Sequence, residues 1–168
     1  MTARVLYLVV CAAPPAHAIG EPIKLLQAKG WTVCVISTPR ATGWIDSAAV
    51  AKQTGRVVRD EYARADDSLP HADAIAVAPA TFNTVNKWVA GISDTFALGL
   101  LNEAIGLRVP IVVAPYAKST LAAHPAYGQS LRTLSEWGVN VLPNEIIRVG
   151  AARDVFDWRP LVDALDEV

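Results

Sequence analysis

Four short apolar runs constrain this chain more than any other feature: Val5–Val10 (VLYLVV), Thr32–Ser37 (TVCVIS), Ala74–Ala78 (AIAVA) and Ile111–Ala114 (IVVA). Each is too short for a core helix and apolar without alternation. Such runs read as strands covered on both faces. Helical segments lie between them. Ile19–Lys29 is amphipathic and ends at Gly30, a C′ glycine. Asp46–Thr54 opens on an N-cap aspartate and stops at Gly55. Val57–Val58 is expected as a short additional strand. A long helix, Thr95–Ile105, leads through Gly106 to the run at Ile111. Pro125 suits the first turn of a helix running to Trp137 with Gly138 as its stop. Val139–Leu142 is a last short strand, and Trp158–Leu165 a final helix with Pro160 in its first turn.

Strands separated by helices make a parallel sheet with helices on both faces. Crossover handedness makes it doubly wound: an α/β fold in three layers, αβα. At 168 residues one domain, 1–168, is expected. The chain is 52% hydrophobic and 18% charged, with a mean hydropathy of +0.30. That excess of apolar residues implies a large core, or surface covered by self-association.

A net charge of −1 and a pI near 6.3 offer nucleic acid or an anionic membrane no basic footprint. No run is long enough to span a bilayer, and the chain reads as cytoplasmic. Cys11 and Cys34 fall in strands and lack metal-ligand spacing, so they read as buried free thiols. No metal-ligand cluster or acid/base carboxylate pair stands out.

In a doubly wound sheet, ligands bind beyond the carboxyl ends of the strands. Those ends are Cys11–His17, Ser37–Arg40, Ala78–Thr84 and Pro115–Lys118. Ser37, Thr38 and Arg40 bring hydroxyls, backbone N–H groups and a guanidinium together, as a phosphate requires. A capped turn with a solvated arginine accounts for them equally well. Pro79, Ala80, Thr81, Asn83 and Thr84 open a helix with three candidate caps where one would serve. Side chains that both donate and accept, at a helix N-terminus, suit an anion or a heterocycle of mixed polarity. The prolines of CAAPPAHAIG replace the glycines of a dinucleotide loop, and no Walker lysine motif follows.

The stretch APATFNTVNKWVAGISD, Ala78–Asp94, resembles the signature of the homo-oligomeric flavin-containing cysteine decarboxylases, which reads approximately APASANTIAKIANGIAD. Pro79, Ala80, Asn83, Thr84, Lys87, Gly91, Ile92 and Asp94 stand in register with it. That family includes phosphopantothenoylcysteine decarboxylase and the peptidyl-cysteine decarboxylases. The resemblance runs from Val5 to about Pro143. It implies a Rossmann-like sheet carrying FMN at a subunit interface, in homotrimers or dodecamers. Ser37 and Thr38 would then lie near the phosphate, and Asp94 near the interface. The implied chemistry is flavin-dependent oxidative decarboxylation of a peptidyl cysteine or small thiol acid.

The chain departs from that pattern at the catalytic positions. The family histidine would fall near Arg64 and not at His71, which reads as structural. The substrate motif, approximately PAMNxxMW, is replaced by Pro115-Tyr-Ala-Lys-Ser-Thr-Leu-Ala122, so Lys118 stands where the family has asparagine. Ala12-Ala13-Pro14-Pro15 replaces a Gly-Ser-Ile-Ala type turn. Lys118 is the candidate for holding a substrate carboxylate, or for offsetting charge on a reduced flavin. His17, just after the first strand, is a candidate acid/base, although a solvent-facing histidine also fits. Trp44 is a candidate roof over a ring, and Trp88 reads as a packing residue. The alternative function is a non-decarboxylating FMN-binding or regulatory protein, or another flavin-dependent oxidoreductase or transferase, on the same scaffold.

Overall fold

A computed structural model describes residues 4–61, 68–152 and 155–168. Five parallel strands form its sheet: β1 (Arg4–Val10), β2 (Trp31–Ser37), β3 (Ala74–Ala80), β4 (Ile111–Pro115) and β5 (Asn140–Val141). Their order is β2-β1-β3-β4-β5, all neighbours parallel. The strand predicted at Val57–Val58 does not form. A single residue further on, Arg59, bridges the outer edge of β2 at Ile36. Ser37 N–H donates to Arg59 O and Arg59 N–H to Val35 O, which pairs that edge without a strand.

Side-chain alternation divides the core in two. Leu6, Leu8 and Val10 of β1, with Val33 and Val35 of β2, meet α1 (Gly20–Ala28) and the last helix, α8 (Arg159–Asp166), on one face. Val9, Ile36, Val77 and Val113 meet α3 (Phe82–Val89), α4 (Phe96–Leu107) and α6 (Pro125–Glu136) on the other. The result is the expected αβα sandwich. The C-terminal helix α8 packs Leu161, Val162 and Leu165 onto its own sheet.

Local chemistry sets the helix ends. Asp46 caps α2 (Ser47–Thr54) by accepting from Ala49 N–H, and Thr95 caps α4 by accepting from Leu98 N–H. Gly30, Gly55 and Gly138 stop helices in the left-handed region, as expected. Helix α4 runs on through Gly106 and closes on Arg108 at φ +57°. The sequence did not announce two short helices, α5 (Ser119–Ala122) and α7 (Asn144–Ile147). Nor did it signal the antiparallel pair β6 (Arg148–Val149) and β7 (Val155–Phe156), joined in register Arg148 to Phe156. No helix of the described residues is long and apolar enough to cross a membrane.

Candidate functional site

The chain leaves β1 for β2 on one side and returns to β3 on the other, so β1 and β3 flank the switch point of the sheet. Loops diverging from adjacent strand ends leave a crevice there. Backbone bonds tie its loops together. Cys11 N–H donates to Pro79 O (3.2 Å), Thr38 N–H to Val10 O (3.0 Å) and Tyr116 N–H to Ala80 O (2.8 Å). Above them lies a cavity of about 650 Å³. This is within the range of small-molecule and cofactor sites.

The first turn of α3 forms one wall: Thr81, Phe82, Asn83 and Thr84 all line the cavity. Thr81 takes the extended N-cap conformation, yet no side chain caps the helix. The threonine hydroxyls bond one another instead. Thr81 Oγ1 and Cys11 Sγ each donate to Thr84 Oγ1 at 3.3 Å. The unpaired N–H groups and dipole of the first turn are therefore open to an anion. Burial pushes the Cys11 thiol up, partly offset by its hydrogen bonds to Thr84 and Thr81. It stays a protonated donor beneath the turn.

Aromatic rings form the other walls. Trp44 enters from the 3-10 turn Pro39–Trp44, Phe82 from α3 and Tyr116 from the end of β4. Each is backed by a second ring. His17 stacks on Trp44 (4.9 Å, 24° between planes), Tyr127 stacks on Phe82 (5.8 Å, 26°) and Phe156 lies 6.1 Å from Tyr116. Arg40, Lys87 and Lys118 line the cavity, and among the described residues no carboxylate does. Lys87 Nζ is paired with Asp94 Oδ2 at 2.5 Å. Behind Thr38, the hydroxyl of Ser37 is fully buried and has no hydrogen-bond partner among the described residues. An uncapped helix start, the cations Arg40 and Lys118 beside an ion-paired Lys87, and rings on three sides together fit a phosphorylated planar heterocycle.

A wider cleft of about 1030 Å³ lies on the other side of Tyr116, Ala117 and Lys118, which line both spaces. Its remaining walls include Tyr127, Arg132, Asn144 and Arg148. Burial pushes the Tyr127 phenol up to about 12, slightly offset by the charge of Arg148.

Of the predicted site residues, Thr38, Arg40, Thr81, Asn83, Thr84 and Lys118 converge on the cavity. Ser37, Pro79 and Ala80 are buried at the strand ends beneath it. His17 is exposed and reaches the cavity only through Trp44. Trp88 is buried in the core, as expected. His71 is exposed and lines a separate apolar groove with Tyr7 and Phe96. The position expected to match the family histidine, near Arg64, lies outside the described residues. Phe82 and Tyr116 were not singled out from the sequence as cavity walls. Their signal was an aromatic residue directly inside each strand-end loop.

The family model described as Flavoprotein matches residues 3–168. The chain belongs to the flavoprotein family. The flavoprotein is 31% identical over 144 residues to the coenzyme A biosynthesis bifunctional protein CoaBC of Thermococcus kodakarensis, across 80% of this chain and 36% of that protein. It therefore spans about a third of that relative's length. Its fold matches the FMN-dependent cysteine decarboxylase SpaF with a TM-score of 0.79 at 20% identity, covering 99% and 97% of the two chains. It matches the C175S mutant of PPC decarboxylase, complexed with pantothenoylaminoethenethiol, at 0.76 and 18%, covering 98% and 97%. At these identities the two structures establish the shared fold.

Proposed function

We propose that this flavoprotein binds FMN in the 650 Å³ cavity and decarboxylates a cysteine-ended peptide or a related thiol acid. The observation that carries the reading is the convergence of four strand-end loops on one space with an uncapped helix start, three cations and three aromatic rings. The family and the names of its relatives support the same cofactor and chemistry.

In this reading the first turn of α3 and Arg40 hold the phosphate. Trp44, Phe82 and Tyr116 enclose the ring and keep water from it. Lys118, at the border of the two spaces, holds the substrate carboxylate. FMN, when bound, supplies a two-electron acceptor. The net reaction converts a C-terminal cysteine and oxidised flavin into an enethiol, carbon dioxide and reduced flavin. The apolar outer face of α4 supports assembly of copies as a homotrimer or dodecamer, since Leu107 is 71% exposed beside the groove of Tyr7 and Phe96.

The test is direct. Purified protein should show flavin absorbance, and anaerobic mixing with a cysteine-ended peptide should bleach it while the peptide loses the mass of carbon dioxide. A colourless protein that FMN cannot reconstitute would overturn the reading. The altered segment Pro115–Ala122 favours a second reading, an FMN-binding protein without decarboxylase activity. A yellow protein that no thiol acid bleaches would establish that one.

A further inference from the structure

Tyr116 divides the two spaces, and a cross-strand pair from elsewhere in the chain holds it. Arg148 and Phe156 face each other across β6 and β7. The Arg148 guanidinium lies 4.5 Å from the Tyr116 ring centroid, and Phe156 packs against the same ring. Arg148 Nη1 also donates to Ala117 O at 3.4 Å. Phe156 in turn meets Trp158 edge-on at 4.5 Å, and Trp158 is part of the core beside α8. The β6–β7 pair is thus anchored on the core and grips the first two residues of the loop that carries Lys118. On its other side that loop is fastened to β3, where Tyr116 N–H meets Ala80 O. Neither Arg148 nor Phe156 lines the cofactor cavity.

We propose that Arg148 is a positioning residue of the cofactor site, setting Tyr116 and the Ala117–Lys118 turn against the cavity from the cleft side. The role given to that cavity rests on the FMN reading above. The physical argument is leverage. Backbone bonds hold Tyr116 N–H to Ala80 O and Ala122 N–H to Lys118 O, and leave the tyrosine ring and the Ala117 carbonyl to other contacts. A cation over the ring face and a donor to the next carbonyl fix both at once. The guanidinium suits this because its plane stacks on a ring while its N–H groups donate in that same plane.

The experiment compares wild type with Arg148→Gln and Arg148→Lys. Hydrogen exchange of the Tyr116 amide, measured without cofactor, should quicken about tenfold in Arg148→Gln, the scale of one such contact. Val9, in the sheet core, should exchange at the wild-type rate. Arg148→Lys, which keeps the cation, should restore much of the protection. With FMN, Arg148→Gln should bind about tenfold more weakly and shift the flavin's visible band, with Arg148→Lys intermediate. Unchanged Tyr116 exchange in Arg148→Gln overturns the proposal. So does faster exchange with unchanged FMN affinity and spectrum. If wild type binds no FMN, the functional reading falls, and Tyr116 exchange alone decides whether Arg148 sets the wall.

Discussion

Cys11 Sγ donates a hydrogen bond to Thr84 Oγ1 at 3.3 Å, joining the residue just past β1 to the first turn of α3. Thr84 accepts a second bond from Thr81 and is itself nearly buried. Its hydroxyl therefore organises the turn from below. Thr84→Val keeps the shape, removes the acceptor and leaves two donors unpaired. The expected cost is about 1–2 kcal/mol, or a Tm lower by about 2–8 °C. FMN affinity should fall with it, and Thr84→Ser should recover most of both. Thermal melts and FMN titrations check this. A Thr84→Val protein with wild-type Tm and affinity would show that the threonine is filler.

His17 and Trp44 stack face to face, which separates two roles for the histidine. As a backing for Trp44 it contributes only through ring contact, about 0.5–1.5 kcal/mol. His17→Ala should then weaken FMN binding by about tenfold at most and leave turnover of the loaded protein near wild type. A general acid/base would behave otherwise, losing about 100-fold or more in turnover. Steady-state rates at saturating FMN decide between them.

Lys118 borders both spaces and is exposed. A charge-assisted bond to a substrate carboxylate contributes roughly 1.5–3 kcal/mol, so Lys118→Ala should lower kcat/KM by about 10- to 100-fold. The flavin content should not change. Lys118→Arg, which keeps the charge, should retain part of the rate. Unchanged kcat/KM in Lys118→Ala would remove the residue from the substrate site.

The strands were legible because a parallel strand buried on both faces must be apolar throughout, and VLYLVV, TVCVIS, AIAVA and IVVA are. The ligand-end loops were legible because each strand end carries groups that packing does not need. What stayed hidden depends on contacts distant in sequence. Arg59 completes the edge of β2 through one bridge, which no periodicity can announce. The pairing of Arg148 with Phe156 joins two two-residue strands, too short for an alternating pattern. His17 lies in the loop expected, but the 3-10 turn Pro14–Ala18 leaves it against Trp44 and outside the cavity. The Cys11–Thr84 bond spans 73 positions, so the motif's threonine could be recognised while its partner could not.

Tyr127 links the two spaces, stacking on Phe82 on one side and lining the cleft on the other. Burial holds its phenol near 12 in the folded chain, against an ordinary value of 10.0. The sign follows from linkage. Below pH 10 the group is protonated in both states, and its contribution to stability is fully present. Between about pH 10 and 12 the unfolded chain releases the proton first, so stability falls as pH rises. The loss through this one group is about 3 kcal/mol in all. Denaturant midpoints should therefore decline through that window. Tyr127→Phe, which has no proton to lose, should decline less steeply by about that amount. The same slope in both proteins would mean that the Tyr127 phenol titrates freely, and that the packing of Phe82 against it does not exclude water.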